Sequence, residues 1–81
     1  MVSSDYYIVD NSDLENKRLE AAKNHYSKGD YSSALRLYLD MLNTSISFKL
    51  YYEIGRCYYK LNDLLPAEEY FKKSIGLESL K

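Results

Sequence analysis

The chain contains one cysteine, Cys57. A single thiol excludes an internal disulfide framework and a cysteine-based metal site, and it makes a reducing compartment the natural home. Charge of one sign is also lacking: eleven Lys and Arg stand against twelve Asp and Glu, for a formal net charge of -1. The electrostatic footprint of a dedicated nucleic-acid-binding domain is therefore missing. No apolar run approaches the ~20 residues that a helix needs to cross a bilayer. Near the N-terminus, Ser3, Ser4 and Asp5 precede only the short run Tyr6 to Val9. No secretory signal is expected from that pattern. Met1 reads as a natural start, and the protein is expected to be soluble and cytoplasmic. With 81 residues there is room for one small domain and one core.

The most informative feature present is an internal repeat. Tyr26 to Tyr38 recurs as Tyr59 to Phe71, offset by 33 residues, with Gly29-Asp30 matching Asn62-Asp63 and Ala34 matching Ala67. A period in this range marks stacked helical hairpins. The capping-box pattern Ser12-Asp13-Leu14-Glu15 opens a first helix near Asp13, along which Leu14, Arg18, Ala21, Ala22 and His25 recur at helical spacing. Gly29 supplies the left-handed residue that ends it, and Asp30 can cap the next helix. That second helix runs from about Tyr31 to about Asn43, with Ala34, Leu35, Tyr38, Met41 and Leu42 on its apolar face. Asn43, Thr44 and Ser45 form a turn.

In the second hairpin, Ser45 or Ser47 is the N-cap, followed by Tyr51, Ile54, Gly55 and Tyr58 on the buried side. Asn62 replaces Gly29, and Asn is the non-glycine residue best suited to the left-handed region. Asp63 caps the last helix. Pro66 lies in its first turn, where a missing N–H costs little. The expected fold is all-α: two antiparallel helix-turn-helix hairpins stacked as a short right-handed α-solenoid. Residues 1–12 form a loose arm and 13–81 the domain, with repeat one at about 15–47 and repeat two at about 48–81.

These residues carry a family resemblance. Ala22, Tyr26, Gly29, Asp30, Tyr31, Ala34 and Tyr38, then Tyr51, Gly55, Tyr58, Leu61, Asp63, Ala67 and Phe71, resemble the tetratricopeptide repeat. The family's usual proline near each repeat end is replaced by Ile46 and Ser79, and Arg18 and His25 stand at usually apolar positions. The resemblance implies a non-catalytic protein-interaction module that binds a peptide in a concave groove lined by the first helix of each repeat. The matching positions are Asn16, Leu19, Lys23 and Tyr26, then Lys49, Tyr52, Arg56 and Tyr59. Cations and tyrosines together suit an acidic or C-terminal peptide with apolar anchors. Leu19, Lys23 and Glu53 occupy the positions of the family's carboxylate clamp, so chaperone-tail peptides are expected to bind weakly.

Repeat arrays usually need about three units for stability. From the second helix to the fourth, Leu35, Leu39 and Met41 become Glu68, Lys72 and Ser74, whereas Ala34, Tyr38 and Leu42 remain Ala67, Phe71 and Ile75. This reads as a polar outer face capping the stack. Leu77 and Leu80, with Tyr6 to Val9, support the alternative of a homo-oligomerising structural or scaffold domain. No catalytic constellation is visible: His25 reads as a core residue, Cys57 as a small packed one, and the carboxylates are scattered. Neither a cofactor nor a metal is expected.

Overall fold

The computed structural model describes residues 12–79. Within them lie four helices: α1 (Ser12–Ser27), α2 (Tyr31–Met41), α3 (Phe48–Lys60) and α4 (Leu64–Ser79). Among the described residues there is no strand. The arm assigned to residues 1–12 lies outside the described residues except for Ser12, the first residue of α1. Tyr6 to Val9 and Leu80 lie outside them as well, and so do the side chains of the Ser12-Asp13 cap.

Both hairpins turn by the same device. Gly29 has φ +85° and Asn62 φ +64°. In the first turn, the Gly29 N–H donates to the Tyr26 carbonyl at 3.0 Å and the Asp30 N–H to the His25 carbonyl at 2.8 Å. In the second, Asn62 donates to Tyr59 at 3.0 Å and Asp63 to Tyr58 at 2.9 Å. This is the Schellman pattern, which satisfies carbonyls that a helix end leaves without partners. Asp30 then caps α2 by accepting from the Ser33 N–H at 3.3 Å. Asp63 stands just before α4, where its carbonyl accepts from the Ala67 N–H at 3.3 Å.

Between the hairpins, α2 ends two residues earlier than the pattern suggests. The N–H groups of Leu42, Asn43 and Thr44 each donate three residues back at 3.1 Å, a tightening that closes the helix before Asn43. Ser47 is the N-cap of α3, its hydroxyl accepting from the Leu50 N–H at 3.1 Å. Thr44 Oγ1 donates to Glu15 at 3.1 Å, and Arg18 meets Asp40 at 3.7 Å. Both contacts tie the start of α1 to the end of α2, and both are exposed enough to contribute at most about 1 kcal/mol each.

Each helix packs mainly on its sequence neighbours, so the chain is a stack: α1 on α2, α2 on α3, α3 on α4. The core joins Ala22 of α1, Ala34, Tyr38 and Met41 of α2, and Leu50, Ile54 and Cys57 of α3. The four small residues Ala22, Ala34, Gly55 and Ala67 are all buried.

Five details differ from the sequence reading. Helix α3 is buried on two sides. Leu50, Ile54 and Cys57 face the core. Tyr51 and Tyr58 are half-buried and meet Tyr70 of α4 at ring separations of 5.8 and 5.7 Å. His25 is half-exposed rather than a core residue, because it lies in the last turn of α1, where its Nδ1 meets Asp30 at 3.2 Å. Leu14 is exposed. Finally, Ser74 is buried and donates to the Phe48 carbonyl at 2.8 Å, so it ties α4 to the start of α3 instead of lying on an outer face. Ile75, expected to point inward, is 64 % exposed because no helix among those described covers α4 as α3 covers α2.

Candidate functional site

The stack brings α1 and α3 side by side across α2 and leaves a cleft between them. Its floor is apolar, made by Leu19 of α1, Tyr38 and Met41 of α2, and Leu50 of α3. Its rim is polar, with Lys23 of α1, Ser45 and Ser47 of the loop, and Lys49 and Glu53 of α3. The cavity measures about 270 Å³, room for one large side chain of a ligand rather than for a whole ligand. Periodicity explains the α3 side: Lys49 and Glu53 are four residues apart and so share a face.

The electrostatics of the rim are set by Arg56. Its Nη1 donates to Glu53 Oε1 at 3.1 Å, which commits the one carboxylate of the rim. Neither Lys23 nor Lys49 has an ion-pair partner among the described residues. The rim thus presents two uncommitted ammonium groups above an apolar floor. Partial burial works against the Arg56 charge, but Glu53 and the neighbouring tyrosines outweigh it and hold its pKa above the ordinary value.

Beyond the cleft, aromatic rings flank the same guanidinium. Arg56 lies 4.6 Å from the centroid of Tyr26 and 5.8 Å from that of Tyr52. Tyr26 in turn meets Tyr31 edge-on at 5.0 Å. Cation–π contacts of this kind contribute roughly 0.5–1 kcal/mol where solvent reaches them. They fix the direction of Arg56 and bridge α1 to α3 on the surface.

Of the eight residues expected in a groove, Leu19, Lys23 and Lys49 line the cleft, and Tyr26, Arg56 and Tyr52 form the adjoining ladder. Asn16 and Tyr59 are exposed and line no part of the cleft. Tyr52 also faces away from it, toward Phe71 of α4 at a ring separation of 5.7 Å. Sequence reasoning missed Tyr38, Met41 and Leu50 as floor residues and Ser45 and Ser47 as rim residues, and it named Glu53 only as the occupant of a clamp position. Only Glu53 carried a usable signal, its spacing from Lys49.

Two core groups, Cys57 of α3 and Tyr38 of α2, are held neutral. Burial, reinforced by Glu53, pushes the Cys57 thiol up to about 11. The same two causes push the Tyr38 phenol up to about 12. Among the described residues, no three His, Cys, Asp or Glu side chains gather in a way that could hold a metal ion.

Residues 48–79, which span α3 and α4, match the family model of the tetratricopeptide repeat, and the four-helix arrangement fits a repeat of that kind. No curated protein and no solved structure matches the chain. No helix of the described residues is long and apolar enough to cross a membrane.

Proposed function

We propose that these two hairpins, the second matching the tetratricopeptide repeat, form a non-catalytic module that binds a short acidic peptide of a protein partner in the α1/α3 cleft. The repeat itself suggests a protein–protein interaction module. The observation that carries the finer reading is the pairing of an apolar floor with Lys23 and Lys49 on its rim. One leucine- or phenylalanine-sized anchor fills the floor, and carboxylates on either side meet the lysines in charge-assisted contacts. The cleft is short, so the bound segment is short and its exchange fast. The cytoplasm, where partners are reached without crossing a membrane, is the proposed location.

The test is a fluorescence-anisotropy titration with two labelled peptides. Both carry one central leucine, with acidic residues flanking it in one and basic residues in the other. The acidic peptide is expected to bind in the micromolar range and to weaken as salt rises. A Lys23→Glu, Lys49→Glu variant that keeps its helical circular dichroism is expected to lose it. Equal binding of both peptides, or no effect of the double substitution, overturns the reading.

A further inference from the structure

We propose that α4 carries a self-complementary docking face for a second copy of this chain, the two α4 helices lying antiparallel about a twofold axis near Phe71. The inference is independent of the cleft, which α4 does not line.

The internal offset identifies the face. On α2, Tyr38 and Met41 belong to the core that α3 completes. Their counterparts on α4 are Phe71 and Ser74, which with Tyr52 and Ile75 line a shallow depression of about 360 Å³. Tyr52 and Ile75 are 49 % and 64 % exposed. The chain has thus built a second stacking surface like the one that α2 presents, and among the described residues no helix covers it.

The order of side chains says what fits. Leu64, Glu68, Phe71, Lys72 and Ile75 recur at three- and four-residue spacing along one side of α4. Read from either end, the stripe runs apolar, charged, aromatic, charged, apolar, with the charges exchanged. An antiparallel copy therefore sets Leu64 against the copy's Ile75 and Glu68 against the copy's Lys72 about an axis level with residue 70, with the half-buried Phe71, whose ring packs on Gly55 of α3, beside it. Glu68 and Lys72 already pair across one turn at 3.6 Å, with 63 % and 73 % of their side chains exposed, so both can turn toward a new partner. Lys73 belongs to another side of the helix. Its Nζ lies 5.0 Å from the Tyr70 centroid and 5.8 Å from that of Tyr51.

The same offset opposes head-to-tail stacking. The repeat makes α1 the counterpart of α3, but where α3 offers Leu50, Ile54 and Cys57, α1 offers Lys17, Ala21 and Asn24. Setting Lys17 and Asn24 against Phe71 and Ile75 would bury polar groups without partners. The surface fits a closed pair rather than an open array. The 16 residues of α4 span about 24 Å. One such face, with Tyr52 beside it, falls at the small end of the roughly 1,200–2,000 Å² buried by stable complexes, so the pair is reversible.

Sedimentation equilibrium of the full chain from about 5 to about 500 µM reads the association directly. A monomer–dimer equilibrium with no larger species is expected. Glu68→Lys and Lys72→Glu should each weaken it by about tenfold or more, because each variant sets like charges opposite one another. Mixing the two single variants should restore a dimer. The double variant Glu68→Lys, Lys72→Glu should pair with itself as the native chain does. A native chain that stays monomeric throughout the range, growth beyond the dimer, or a mixture that fails to pair overturns the proposal. Should a single variant lose helicity, the double variant, which keeps its own pair of opposite charges, decides alone.

Discussion

The ring of Phe71 lies against the bare backbone of Gly55: a Cβ added there would come within 2.7 Å of both Cδ1 and Cε1 of the ring. This contact sets how closely α4 approaches α3. Gly55→Ala should therefore destabilise the protein by about 1–2 kcal/mol, since overpacking outweighs the roughly 1 kcal/mol that alanine gains in a helix. Thermal denaturation of Gly55→Ala, Phe71→Leu and the double variant checks it. The double variant should recover part of the loss, and simple additivity would show that the ring is not the cause.

The left-handed turn residue Asn62 gives a second prediction. Asn62→Gly should be neutral or slightly stabilising, whereas Asn62→Ala should cost about 1 kcal/mol, because a Cβ with no compensating side-chain hydrogen bond is held at φ +64°. Chemical denaturation of the two variants side by side separates this backbone effect from any loss of side-chain contacts.

Acid should weaken the cap of α2. The Asp30 carboxyl is held below its ordinary value by hydrogen bonds from Ser33, with a smaller contribution from His25. A carboxylate with a lowered folded-state pKa contributes stability that is fully present above its unfolded value. That contribution is lost as pH falls through the folded one. The melting temperature of the native chain should therefore exceed that of Asp30→Ala at neutral pH. The two should converge below the ordinary carboxylate range of about 4. A gap that stays constant down to low pH would assign the effect to something other than the charged cap.

Cys57 should be silent toward thiol reagents in the folded state. It is fully buried, and its thiol is pushed up to about 11, so thiolate is scarce at neutral pH. Ellman's reagent should label it only at the rate of unfolding, and denaturant should accelerate labelling sharply. Fast labelling of the native protein would show that α3 opens locally.

The repeat made much of this fold legible. Gly29 and Asn62 share one backbone conformation because the chain uses one turn twice, and the offset between them is plain in the sequence. Less legible was α3. A helix buried on two sides blurs its own periodicity, so Leu50 went unnamed beside Tyr51 and Tyr58, which are half-buried toward α4, Tyr58 also packing against the core. His25 was misplaced for a local reason, since a helix's last turn offers its side chains to the cap that follows. The cleft floor escaped because Tyr38 and Met41 read as ordinary core residues of α2. Only the packing of α1 beside α3 leaves part of that core open to a ligand.

The two buried sides of α3 have a bearing on binding as well as on folding. Lys49 and Glu53 face the cleft, while Gly55 and Tyr58, on another side of the same helix, hold α4. A ligand that grips the first pair stiffens the element on which the second depends. Occupancy of the cleft should accordingly be felt as slowed amide exchange in α4, a helix that contributes no atom to the cleft lining.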